Sequence, residues 1–191
     1  MDVVALLNLK GGVGKTAAAV NLAWEAGHEG RPTLLWDLDA QGAASWYLGA
    51  SEGLRGKPKR LLSGKSPLGR EVHASAYADV DVLPADPALR ELDHLLRKAT
   101  DSRGHLRRLL EPFSERYGLL VLDCPPGLSA LAEQVMRAAD RVLVPVVPSP
   151  LSQRAWVQLR DHLGAKKAAR RRLRPFFSLV DRRRRLHREW L

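Results

Sequence analysis

Short apolar runs recur along this chain, and most are followed by a stretch that reads as a helix. Val3–Leu7 is wholly apolar and reads as a buried strand. Residues 17–24 read as a helix, which a Gly30-Arg31-Pro32 break ends. Thr33–Trp36 reads as the next strand, and Val80–Pro84, which alternates, as another. Residues 49–70 are rich in Gly, Lys, Ser and Pro and read as loop with one short helix. Helices are predicted over 87–98 and 101–115, then a continuous apolar strand over Gly118–Leu122. A helix over 129–138, a strand over Arg141–Val147, a helix over 151–164 and a last strand over Pro175–Val180 complete the series.

Strands alternating with helices imply crossover units, hence an α/β fold of three layers with a mostly parallel sheet between helices. Strands apolar throughout, such as 119–122, fit burial on both faces. In such sheets ligands bind beyond the carboxyl ends of the strands. Three polar segments follow apolar strands directly, at 8–16, 37–42 and 123–127, so they should gather on one edge.

The first is Asn8-Leu9-Lys10-Gly11-Gly12-Val13-Gly14-Lys15-Thr16, between a strand and a helix. Glycines let backbone N–H groups approach an anion, and the helix N-terminus adds the positive end of its dipole. In a phosphate loop Lys15 reaches the β/γ-phosphates and the Thr16 hydroxyl binds Mg²⁺. Leu9 stands where the usual loop has a glycine, and Lys10 adds a second lysine. Asp123, after four apolar residues and before Pro125-Pro126-Gly127, is placed to hold the metal; the other reading is a solvated carboxylate at a strand end. Asp39, by its place alone, reads as a cap before Gln41. Cys124, with no histidine near in sequence, reads as a buried structural thiol.

Residues 10–16 form the deviant Walker A box. With Asp37-Leu38-Asp39-Ala40-Gln41-Gly42 and Asp123-Cys124-Pro125-Pro126-Gly127, the chain resembles the ParA/MinD family of P-loop ATPases over about residues 2–180. The resemblance implies a P-loop ATPase domain over 1–180 followed by a basic tail over 181–191, with ATP and Mg²⁺ as cofactors. It places Lys10, Gly11, Gly12, Val13, Gly14, Lys15, Thr16 and Ala17 around the nucleotide, with Asp181 as a candidate for the adenine. Thr16, Asp37 and Asp123 would serve the metal, Asp37 through water. Asp39 would orient the attacking water, and Lys10 would cross an ATP-bridged homodimer to the partner's phosphates. A ParB-like or other adaptor protein would stimulate hydrolysis. Ala40 replaces the family's proline, which removes a fixed φ from that turn.

Composition adds one thing. The 191 residues, 45% hydrophobic and 27% charged, suit one globular domain. No apolar run approaches the roughly 18 residues that span a bilayer, and no basic leader precedes the first strand. The lone cysteine excludes an internal disulfide. A cytoplasmic protein is expected, nucleoid-associated if it binds DNA, with no membrane partner. The charge, however, is segregated. Residues 154–191 hold 13 Lys/Arg against three acids, which is the whole net +10. Such a segment suits a polyanion. Lys166, Lys167, Arg170, Arg171, Arg172, Arg182, Arg183, Arg184 and Arg185 are therefore the candidates for sequence-independent DNA binding. A solvated charge run is the plain alternative. Two other readings stay open: a MinD-like membrane switch using Leu186, Trp190 and Leu191, and an ATP-dependent small-molecule ligase of the cobyrinate or dethiobiotin type.

Overall fold

Seven strands form one sheet in the computed structural model, which describes residues 1–50, 53–90, 104–163 and 167–190. They are β1 (Asp2–Leu6), β2 (Thr33–Asp37), β3 (His73–Ala74), β4 (Val80–Leu83), β5 (Leu119–Asp123), β6 (Arg141–Val146) and β7 (Leu173–Phe177), in the order β3-β4-β2-β5-β1-β6-β7. Every neighbouring pair is parallel except β3 with β4. Helices α1 (Lys15–His28), α2 (Ala43–Tyr47), α3 (Pro58–Leu62), α4 (His105–Leu110), α5 (Ala130–Ala138), α6 (Pro150–Leu163), α7 (Lys167–Arg170) and α8 (Arg185–Trp190) accompany it.

The apolar strands are buried on both faces because each feeds two cores. Val4 and Leu6, Leu35, and Leu119 and Val121 pack with Ala19, Ala23 and Ala26 of α1. Val3 and Ala5, Leu34 and Trp36, and Leu120 and Leu122 face the other way, toward Leu106, Leu110, Leu131, Val135 and Leu159 of α4, α5 and α6. Period-two alternation thus divides the apolar positions of these strands between the two cores.

Most predicted elements are present, with shifts. The loop over 49–70 carries α3 and ends in a 3₁₀ turn at Leu68–Glu71. Of the helix predicted over 101–115, the described part holds α4 and a 3₁₀ turn at Glu111–Phe113, where Pro112 interrupts the α-helix. The helix predicted over 87–98 lies mostly outside the described residues, as does Lys166. The last strand runs over 173–177 rather than 175–180, because its register is set by pairing with β6 from Val142 to Val146. Within the basic tail, α8 forms, its buried His187 accepting a hydrogen bond at Nδ1 from the Asp181 amide at 3.0 Å. Sequence reading missed α2 and the two-residue edge strand β3, both too short to show a period.

Helix α5 is closed at each end. The Ser129 hydroxyl accepts from the Ala132 amide. At the other end the Arg172 guanidinium donates to the carbonyls of Met136, Arg137 and Ala139.

Gly27 sets the approach of α1 to the sheet. A Cβ there would meet Val80 Cγ2 at 2.7 Å and the Ala78 carbonyl oxygen at 3.0 Å. Gly27→Ala gains about 1 kcal/mol of helix propensity, but it overpacks a site that includes fixed backbone, at about 1–3 kcal/mol. A lower urea midpoint than the parent is expected, with the m-value unchanged.

Candidate functional site

Strand pairing alone assembles the site. β1, β5 and β2 are neighbours, and Leu6, Asp123 and Asp37 sit level across them. Residues level on adjacent parallel strands point the same way. Asp37 and Asp123 therefore share the face covered by α1, with the 8–14 loop leaving β1 beside them. The three polar segments do gather at the carboxyl edge.

The loop is anchored from below. Asn8 is wholly buried, donating through Nδ2 to the Pro145 carbonyl at 2.6 Å and accepting from the Lys10 amide at 3.1 Å. Its signal in the sequence was only its place at the end of an apolar run. Gly12 and Gly14 have φ of 69° and 87°, which a side chain disfavours. Among the described residues, the amides of Gly11 through Ala17 donate to no protein acceptor. A row of free amides ending in a helix N-terminus is a cradle for phosphate oxygens.

Lys15 is buried, and its ammonium donates to the Lys10 carbonyl at 3.3 Å. Burial pulls its pKa below the usual lysine value, against the attraction of Asp123, Cys124 and Asp39. Lys10 itself is exposed, and its side chain closes no ion pair or hydrogen bond among the described residues.

The two level carboxylates have opposite fates. Asp37 is wholly buried and satisfied: Oδ1 accepts from the Asp39 amide, and Oδ2 from the Ser45 amide and hydroxyl, both at 2.8 Å. Burial raises its pKa and these bonds lower it. The Ser45 hydroxyl also accepts from the Ala85 amide. Asp37 thus holds the first turn of α2, and Ser45 is a second site residue that sequence reading missed. Asp123 is 1% exposed, and neither of its oxygens has a hydrogen-bond partner. Burial pushes its pKa up to about 7, with the Thr16 hydroxyl and Lys15 pulling it down and Asp37 and Asp39 pushing it up. An orphaned buried carboxylate near a threonine hydroxyl fits a hard divalent cation that keeps phosphate and water as its other ligands. No group of three or more His, Cys, Asp or Glu side chains among the described residues makes a metal site alone.

Asp39 is half-buried, and its Oδ1 accepts from the Gln41 amide, so the capping geometry is present. Cys124 is buried, and burial raises its thiol pKa well above the ordinary value. Asp181 stands apart from these groups in its bonding: its carboxylate takes both nitrogens offered by Arg183, at 2.9 and 3.0 Å. That contact holds its pKa below the usual range.

The basic segment is not one patch. Lys167, Arg170, Arg171 and Arg172 lead into β7 at the amino edge of the sheet, whereas Arg182, Arg183, Arg184 and Arg185 follow it at the carboxyl edge. The five-residue strand between them is about 17 Å long. Arg172 is tied to α5, and Arg183 and Arg185 pair with Asp181 and Glu189.

Comparison with known proteins follows this geometry. The AAA domain family matches residues 1–174. The chain is 34% identical to the chromosome partitioning protein ParA of Myxococcus xanthus over 145 residues, 75% of this chain and 51% of that protein. It is similar to the cobyrinic acid a,c-diamide synthase of Mycobacterium smegmatis solved with ADP and magnesium, with a TM-score of 0.84 and 28% identity over 99% of this chain and 79% of the other. The ATP complex of McdA from Cyanothece superimposes with a TM-score of 0.78 over 86% of this chain and 64% of the other; at 20% identity that likeness is one of fold. The chain spans about half the length of the curated relatives it matches.

A carboxylate raised to about 7 makes a signed prediction. Between about pH 4, where Asp123 ionises unfolded, and pH 7, the folded chain holds the extra proton. Stability of the nucleotide-free protein in a chelator should therefore fall as pH rises through that window, by up to about 1.4 kcal/mol per pH unit, and level off above it. In urea titrations Asp123→Asn should lose this slope and exceed the parent in stability at pH 8.

Proposed function

We propose that this chain, which belongs to the family of ParA-type P-loop ATPases, is an ATP-driven switch that dimerises around Mg-ATP and binds DNA without sequence preference. Its use would be to partition or position DNA or another large cargo. The observation that carries the reading is Asp123, buried without a partner beside Lys15 and below a row of free loop amides.

The geometry supports the following roles. The loop amides and Lys15 bind the phosphates; Lys15 leaves the Lys10 carbonyl to do so. Thr16 and Asp123 hold Mg²⁺, which neutralises charge on the transferred phosphoryl group. Asp39 orients the attacking water. Asp37 acts at one remove, fixing the turn that carries Asp39 and the start of α2. Lys10, exposed on the rim, reaches the phosphates of a second protomer. The kinship with a chromosome partitioning protein supports DNA as the polyanion and a ParB-like adaptor as the partner. A nucleoid-associated location follows from that. No helix among the described residues is long and apolar enough to cross a membrane.

The likeness to the cobyrinic acid synthase at 28% identity supports a second reading, an ATP-dependent small-molecule ligase. A ligase has no use for a net +10 gathered in residues 154–191. Duplex binding separates the two.

Light scattering after size exclusion, with and without ATP, tests the switch. Asp39→Ala should accumulate as an ATP-bound dimer, because only water orientation is lost. Lys10→Ala should bind ATP but stay monomeric; a dimer like the parent's would remove Lys10 from the interface.

A salt titration of labelled duplex tests the polyanion. If a dimer neutralises about six phosphates, log K should fall against log salt with a slope of about −5. Unrelated sequences should bind alike. Replacing Arg182, Arg183, Arg184 and Arg185 with alanine should flatten the slope and spare DNA-independent ATP hydrolysis.

A further inference from the structure

We propose that a groove at the end of β7 stacks the unpaired bases of single-stranded nucleic acid. The inference deepens the DNA-binding reading above and rests on it for the sign of its partner. A cavity of about 290 Å³ lies between the carboxyl ends of β6 and β7 and helices α6 and α8. Its walls include Trp156, Phe176, Phe177 and Trp190, with Gln153 as the polar side chain among them. Phe176 and Phe177 are 37% and 43% exposed, although aromatic side chains of this size are usually withdrawn from water. Trp156, Phe177 and Trp190 thus meet at one open groove, while the Phe176 ring alternates to the other face of β7.

The segments that flank the lining residues in sequence are arginine-rich. Arg182, Arg184 and Arg188 follow β7 toward or along α8, and Arg154 adjoins Gln153 on α6; all four are exposed and close no ion pair among the described residues. The nearby acids are already engaged, Asp181 with Arg183 and Glu189 with Arg185. An occupant must therefore be anionic outside and flat and apolar inside. Single strands meet both needs, since every base offers a π-face and every nucleotide a phosphate. Guanidinium groups also stack on bases and bind phosphate in two-pronged fashion. Duplex DNA meets only the second need, because its bases are already stacked.

The backbone argues against a polypeptide strand in the same place. The Ser178 amide donates inward to Val146. Amides alternate in direction along a strand, so the odd positions of β7 face outward. Pro175 is one of them and has no N–H to give. An added strand, from a partner or a second copy, would find its ladder broken at the centre.

The test uses the whole chain with an oligothymidylate of about 15 nucleotides and a hairpin duplex, both at low salt. Oligothymidylate should quench tryptophan emission, and the duplex should not. Phe177→Ala should weaken single-strand affinity about 5- to 150-fold, leaving duplex affinity and ATP binding unchanged. Phe177→Leu keeps an apolar side chain without the ring and should weaken it similarly. Equal affinities for both nucleic acids, insensitive to Phe177, would overturn the groove's role while leaving the polyanion reading intact. No binding of either would remove both readings. Nucleotide-independent self-association abolished by Phe177→Ala would assign the groove to a second copy and overturn the proposal.

Discussion

Everything at the carboxyl edge of this sheet depends on two carboxylates placed side by side by strand register. Asp37 ends β2 and Asp123 ends β5, level with each other and on the same face. Both are buried, so neither is relieved by water. Burying an unpaired charge is costly enough that a protein must hydrogen-bond it, pair it or keep it protonated. The chain does the first for Asp37, through Ser45 and the Asp39 amide. Asp123 has no such bonds, and burial drives it toward the third outcome, raising its pKa to about 7. Lys15 is the natural partner, yet its ammonium contacts a carbonyl instead. Both groups are driven toward their neutral forms, which is the condition a phosphate and a cation together would reverse.

The asymmetry has a structural consequence. Because Asp37 is spent on Ser45, the start of α2 and the turn carrying Asp39 are fixed to the sheet. Asp123 is not spent in this way, and its oxygens stay unpaired beneath the loop. The loop above is held independently by Asn8 against Pro145 on β6. Three neighbouring strands and a fourth beyond them thus position a loop whose glycines take left-handed φ at Gly12 and Gly14.

The sheet, its parallel sense and the convergence of three motifs were legible in the sequence, because fully apolar strands and a phosphate loop are strong local signals. So was the burial of Cys124. Asn8, Ser45 and α2 were not, since their importance comes from partners 137 and 8 residues away or from a helix shorter than two turns. The strand at 173–177 was predicted two residues late at its start and three at its end, because its bounds follow the pairing with β6, a tertiary fact. Pro175 suits the edge place that β7 holds in the described sheet.

Charge segregation was visible as a count, but its division was not. A run of 38 residues holding the whole net charge looks like one basic tail until a strand is threaded through it. β7 then carries its two halves to opposite edges of the sheet. Only the half after Phe177 lies on the edge of the nucleotide loop, and the contact of Ser178 with the space beside Gly14, 2.9 Å from where a Cβ would stand, joins the two regions physically. Leu179 next to it holds a φ of 53°, a conformation that bulky residues avoid. The arginines before β7, anchored by Arg172 to the end of α5, sit on the far side of the sheet from this short junction.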